Sequence, residues 1–176
     1  EVESAAIVTA PPVGGRVFET GYDAAPGIQT LVQSIDPEYF ETMKIRLLSG
    51  RSFGPGDQQT VIISRRLALE MYGTLDVLGQ VFPKAPGGRS KAQDVASLSP
   101  PEGVIIGVAA DAHSIKVNAT NVAELYRPLK LEDFSLVYLV ARARSNADRL
   151  PPILREASTI DSRVIATARA LSEDFD

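Results

Sequence analysis

The longest apolar run in this chain is Val104 to Ala110. It is far short of the roughly 18 residues that a helix needs to cross a bilayer. With Gly103 before it, the run reads as a buried strand, Gly103 to Ala109. A chain whose most apolar stretch is a strand must build a strand-centred core. At 44% hydrophobic residues it has the material for one.

Other strands and two helix starts follow from local chemistry. Ser4 to Thr9 reads as a strand stopped by Pro11-Pro12, with a loop from Gly14-Gly15 to Gly27. Thr30 to Ile35 alternates and reads as a second strand. Asp36-Pro37-Glu38 then predicts a helix, with Asp36 as its cap, Pro37 in its first position and Glu38 at the positive end of its dipole. Tyr39, Phe40 and Met43 share a face of it. Ile45 to Leu48 is expected as a short strand before a turn at Gly50, and Thr60 to Ile63 as another strand.

Ser64 is the expected cap of a second helix that buries Leu67, Ala68, Met71 and Tyr72 and ends at Gly73. Residues 84–101 turn to Gly, Ser, Pro, Lys and Gln and read as a mobile loop. Leu125-Tyr126 is expected to be a short edge strand before Pro128. Ser135 to Arg142 alternates as a strand. A last helix begins near Asn146 or Asp148, carries Leu150, Ile153, Leu154, Ala157 and Ile160 on one stripe, and leads to a strand at Val164 to Ala168. Strand–helix–strand therefore occurs at 30–48 and again at 135–168, which suggests a split βαβ sandwich with the middle of the chain as a second lobe.

Charge and composition exclude several functions. Eighteen basic and 22 acidic residues give a net charge of −4, a poor match to nucleic acid. The chain has no cysteine, which removes disulfides, thiolate zinc sites and thiol catalysis, and fits an oxidising compartment. It opens on Glu1-Val2-Glu3-Ser4 without a start methionine or signal peptide, and is expected to be a segment of a longer protein.

Catalytic signatures fail in turn. Gly87-Gly88-Arg89-Ser90-Lys91 does not fit a Walker loop, and Gly54-Pro55-Gly56 lacks the third glycine of a dinucleotide fingerprint. No nucleophile elbow is present. His113 is the only histidine. Asp111 stands two residues away, but neither a second histidine nor a serine nucleophile completes a group. The pairs Glu132-Asp133 and Glu173-Asp174 lack the alternating oxygen spacing of a calcium loop and read as solvated surface. No catalytic, metal or cofactor residue is assigned.

A longer pattern is more specific. Ser34-Ile35-Asp36-Pro37-Glu38-Tyr39-Phe40-Glu41-Thr42-Met43-Lys44-Ile45, continuing through Leu47, Leu48, Gly50-Arg51, Phe53 and Asp57, resembles the periplasmic core domain of MacB-like, FtsX-type ABC-transporter permeases. Lys44 stands where that family usually has glycine. The resemblance continues in order through Val61 to Ser64 with Ala68, Asp76 to Gln80 (Val77 replacing a usual proline), Gly103 to Asp111, Leu125 to Pro128, Val137 to Arg142 and Asp161 to Ala166. It covers nearly the whole chain. Within it, Arg51 and Asp57 are expected to clip a loop, and Gly50 to make a turn that bulkier residues would strain.

The resemblance implies an α+β domain. Both chain ends form a split βαβ porter-like lobe, and a second mixed α/β lobe is inserted in the middle. Boundaries fall at 1–78, 79–130 and 131–176. It implies an extracytoplasmic, periplasmic place between transmembrane helices, a second permease copy, an ABC ATPase fused or separate, and a periplasmic adaptor as partners. Movement driven by the ATPase would reach this domain through the membrane helices. Two other readings differ in class: a small-ligand binding module whose loop 84–101 closes over a cleft, and a hydrolase assembled around His113 and Asp111.

Overall fold

A computed structural model describes residues 2–9, 21–23, 29–83, 103–112, 123–133 and 137–143. The expected loop at 84–101, His113, the helix from 146 or 148 and the strand at 164–168 lie outside these residues. In chain order the elements are β1 (Val2–Val8), β2 (Gly21–Asp23), β3 (Gln29–Ile35), α1 (Tyr39–Met43), β4 (Leu47–Gly50), β5 (Thr60–Ser64) and α2 (Arg65–Tyr72). After these come β6 (Val81–Phe82), β7 (Gly103–Ala109), β8 (Ala123–Pro128), a 3-10 turn (Leu131–Asp133) and β9 (Tyr138–Ala143). The fold is mixed α+β, dominated by sheet.

The described strands form one mixed sheet in the order β4-β7-β5-β8-β3-β1-β9, with β2 on β3 and β6 on β7. The pairs β5–β7 and β3–β8 are parallel, and β5–β8 is antiparallel. A parallel neighbour requires a crossover, and α2 lies in the connection between β5 and β7. Residues 79–130 contribute β6, β7 and β8 to the same sheet as β3 and β5. At the other end Val2 is the register partner of Ala143, so the first and last described strands lie side by side.

Leu125 and Tyr126 are not in an edge strand. β8 runs between β5 and β3, and both side chains are fully buried. Pro128 is tolerated because it ends the strand, where the missing N–H costs no interior rung.

Alternation along the central strands sends side chains to opposite faces, and each face has its own core. Val61 and Ile63 of β5, Ile105 and Val108 of β7, and Ala123 and Leu125 of β8 pack with Leu67 and Ala68 of α2 and with Val77 and Phe82. Ile62, Ala109 and Tyr126 from the same strands point the other way. They meet Ile35, Tyr39 and Phe40, Phe53, and Ala6, Val8 and Val140 from β1 and β9. The register shift between Val61 and Ile62 leaves Ile106 as an extra residue in β7, so that Ile105 and Val108, three positions apart, face the same core.

The second helix forms where expected. Ser64 is extended, and its Oγ accepts from Leu67 N at 3.2 Å, the bond that makes serine a good cap. The same Oγ accepts from Glu124 N at 3.0 Å, which ties the helix start to β8. Gly73 closes the helix in the left-handed conformation at φ 69°. α1 differs from expectation: it covers only Tyr39 to Met43, its cap position is Glu38, and no side chain caps it. Asp36 is engaged elsewhere, because its carboxylate crosses to β1.

Two backbone positions carry measurable consequences. Lys44 ends α1 in the left-handed region at φ 57°, which accounts for the glycine usual in the sequence pattern. At Gly50, φ is 75° and an added Cβ would lie 2.0 Å from the Ile106 carbonyl oxygen. Lys44→Gly should therefore stabilise the chain by about 1 kcal/mol, the cost of a side chain in the left-handed region. Gly50→Ala should destabilise it by about 3 kcal/mol, since conformational strain and backbone collision add. Urea unfolding measures both, and a Gly50→Ala variant as stable as the natural chain would contradict this account of the turn.

Candidate functional site

Of the residues singled out for chemistry in the sequence, Asp111 and the Gly54 to Gly56 turn hold structural positions. Asp111 follows β7, and its Oδ1 accepts from the backbone N–H of Arg66 at 2.7 Å. It thus serves a second donor of the α2 N-terminus beside Ser64. Its catalytic partner in the hydrolase reading, His113, lies outside the described residues, as do Glu173 and Asp174. Glu132 is exposed in the 3-10 turn. No group of three or more His, Cys, Asp or Glu able to hold a metal occurs among the described residues.

Gly54-Pro55-Gly56 is a turn gripped by a side chain. Arg51 and Asp57 form a two-pronged ion pair, Nη1–Oδ2 at 2.5 Å and Nη2–Oδ1 at 2.9 Å. Asp57 Oδ2 also accepts from Gly54 N at 2.7 Å. The hydrogen bond from Arg51 is the largest influence holding the Asp57 carboxyl below its ordinary value. The clip expected between these two residues is present, and it fixes the loop.

Sequence reasoning missed a buried polar group on the face of the sheet opposite α2. The Tyr126 hydroxyl donates to the Glu124 carboxylate, and both residues are buried in β8. Burial first, then the neighbouring Glu124 charge, push the Tyr126 phenol well above its ordinary value. Gln33 of β3 is the register partner of Tyr126 and is fully buried. Both ends of its amide lack a hydrogen-bond partner, an arrangement that is costly in a dry core. Above this group three rings pack edge to face or tilted. Phe40 lies 5.1 Å from Tyr126 and 5.7 Å from Tyr39, and Tyr39 lies 5.9 Å from Tyr126. The polar residues Gln33 and Glu124, each next to a large apolar residue in its strand, were the available signal.

The most unusual geometry is at the meeting of β1 and β3. These antiparallel strands share a single register pair, Val8 with Ile35. On each side of it, residues facing each other would normally exchange two backbone hydrogen bonds. Here each exchanges one: Asp36 N to Ile7 O and Thr9 N to Ser34 O, both at 3.1 Å. The return bonds go to side chains. Ile7 N donates to Asp36 Oδ2 at 2.5 Å, and Ser34 N donates to Thr9 Oγ1 at 3.0 Å. Asp36's own carbonyl turns away and accepts from Tyr39 N at 3.3 Å, in the turn that opens α1. Arg127 of β8 braces the same place, with Nε donating to Ser34 Oγ at 2.6 Å.

α1 and its aromatic residues bridge this joint, since one hydrophobic cluster contains Phe40, Tyr39, Ile35 and Tyr126 together with Ala6, Val8 and Val140. Among the described residues, the β1–β9 ribbon is held to the rest of the fold by this two-rung joint, by the shared core and by the bond from Arg142 Nε to the Thr42 carbonyl.

Comparison with solved structures identifies the fold. The chain is similar to the periplasmic region of MacB from Actinobacillus actinomycetemcomitans, with TM-score 0.53 and 15% identity over 90% of this chain and 67% of that one. It is similar to the extracellular domain of the noncanonic ABC-type transporter YknZ from Gram-positive bacteria, with TM-score 0.54 and 18% identity over 90% of this chain and 74% of that one. A domain of a putative permease from Porphyromonas gingivalis gives TM-score 0.52 and 19% identity over 97% of this chain and 81% of that one. No protein-family profile matches the chain, and no curated protein sequence does. The sequence resemblance to MacB-like domains is therefore met by the fold.

Phe40 occupies the centre of the shared core and is 4% exposed. Phe40→Ala should cost about 4 kcal/mol by removing a buried ring and leaving a cavity. Urea unfolding of the chain measures the cost, and a loss below about 1 kcal/mol would mean that the ring does not bridge the two sides as described.

Proposed function

We propose that this chain is the extracytoplasmic domain of an ABC-transporter permease and that it works by relaying movement and contacting other molecules, without catalysis of its own. One observation carries the reading: a fold shared, over 90–97% of the chain, with extracytoplasmic or permease domains from three sources. The ordered run of sequence segments from Ser34 to Arg142 points the same way.

In this reading the domain lies on the periplasmic or outer side of the membrane. Its partners are the protein's own transmembrane helices, a second permease copy, an ABC ATPase on the same or a separate chain, and a periplasmic adaptor. In this reading segments 1–78 and 131–176 carry the porter-like lobe joined to the membrane helices, and 79–130 is the inserted part, which joins the same sheet through β7 and β8. The pairing of Val2 with Ala143 supports the first part of that division, because it sets the first and last described strands side by side. The shared core under α1 suits a body that transmits force. The positions of Asp111 and of the Gly54 to Gly56 turn, both occupied by structural hydrogen bonds, accord with a non-enzymatic part.

The side of the membrane is directly testable. The chain has no cysteine, and Leu139 is 62% exposed on β9. In the full-length protein, Leu139→Cys should react with a membrane-impermeant maleimide added to intact spheroplasts. Reaction seen only after the membrane is opened would place the domain in the cytoplasm and sink the reading.

A further inference from the structure

We propose that Asp36 is a titratable latch across the joint between the β1–β9 ribbon and the rest of the sheet, its carboxylate standing in for its own backbone carbonyl. The latch is a property of the joint and does not depend on the transport reading.

The geometry gives the carboxylate a defined task, which is to answer the Ile7 amide. β3 stops at Ile35, and Pro37 has no N–H with which to extend the ladder. Asp36's carbonyl is committed to Tyr39 N. The N–H of Ile7 would therefore face the end of a strand without an acceptor, and Asp36 Oδ2 meets it at 2.5 Å. A bond to an ionised carboxylate is roughly twice as strong as one between neutral groups. The other oxygen, Oδ1, is buried and has no hydrogen-bond partner. One oxygen thus fastens the joint, while the carboxylate as a whole is partly withdrawn from water and also feels the amides of Glu38 and Tyr39.

This arrangement makes the joint sensitive to protons. Burial is the largest influence on Asp36 and raises its carboxyl above the ordinary value, against the pull of the Ile7 amide. The charge of Glu38, on the turn before α1, acts in the same direction as burial, while the amides of Glu38 and Tyr39 act with Ile7. Among the described residues, Arg127 of β8 donates from Nε to Ser34 Oγ, and Arg142 of β9 donates from Nε to Thr42 O. An acid whose folded-state value is raised contributes stability that is complete below the unfolded-state value and is lost as pH rises through the folded-state value. The ionised latch is therefore the tighter bond on Ile7 but the less stable state of the whole fold. Acidification relieves the buried charge and leaves Ile7 held by a neutral, weaker acceptor. The ribbon is then freer to pivot about Val8 and Ile35, at a pH above that at which an ordinary aspartate would take up its proton.

Two variants of the chain test the latch. In Asp36→Ala the Ile7 amide should exchange with deuterium about tenfold faster or more, the loss of one charge-assisted bond, while Ile63 in the middle of β5 keeps its protection. In Asp36→Asn the amide oxygen can accept in the same place, so Ile7 should stay protected. Asp36→Asn should also become progressively more stable than the natural chain as pH rises from acid to neutral, with the difference levelling off above the Asp36 titration. An Ile7 amide that stays protected in Asp36→Ala, or a stability difference between Asp36→Asn and the natural chain that is flat with pH or falls as pH rises, overturns the latch. Should Asp36→Ala fail to fold, the stability difference shown by Asp36→Asn decides alone.

Discussion

The carbonyl of Asp36 points into the turn that starts α1, and most of the architecture follows from that one commitment. The turn sends the chain across the sheet at once, so that Tyr39 and Phe40 land on the face carrying Ile35, Ile62 and Tyr126. The same rotation would leave β1 with an unanswered amide if the residue were not an aspartate. Its side chain has the length and the acceptor to reach back to Ile7. A strand end, a helix entry and a strand-to-strand contact are thereby compressed into one residue. Thr9 does the corresponding work for Ser34 on the other side of Val8.

Around this point the sheet behaves as a wall with a core on each side. α2 and the Phe82 cluster cover one face, and α1 with the β1–β9 ribbon covers the other. Because β5, β7 and β8 give side chains to both cores, a change of tilt on one face is felt on the other through rigid strands. The buried Glu124 and Tyr126 pair sits within the second core, in the strand whose backbone also meets the cap of α2 through Ser64 Oγ. Buried polar bonds of this kind fix one arrangement of neighbours more sharply than apolar contact does.

The sequence spelled out what depended on near neighbours. Ser64, Leu67, Ala68 and Gly73 mark α2 because capping and periodicity act within a few residues. The Gly103–Ala109 strand was plain because a short apolar run has few other uses. The clip from Arg51 to Asp57 was readable at a separation of six residues. Asp36 looked like an ordinary helix cap because its true partner, Ile7, is 29 positions away. The strand at Leu125-Tyr126 looked marginal because its flanking proline is local, whereas its central place rests on Gln33, Ile62 and Ile63. Lys44 was noticed as a departure, but only the backbone angle explains it. No element of the candidate joint was legible as such, since it exists only where two distant strand ends meet.

The parallel pairing of β3 with β8 has a consequence for how the chain reaches this structure. Ser34 and Arg127, bonded across it, are 93 residues apart, and the ribbon waits for β9 before β1 gains its long partner. Contacts between such distant segments must first close large loops, so the entropy of closure is spent before burial returns it. Chains dominated by these pairings fold slowly, over milliseconds to seconds, compared with helical bundles. Through that interval β1, with its Val2 to Val8 edge open, is the segment most exposed to pairing with the wrong strand. The order in which strands become available, and not only their final pairing, is therefore a constraint that this topology places on its own synthesis.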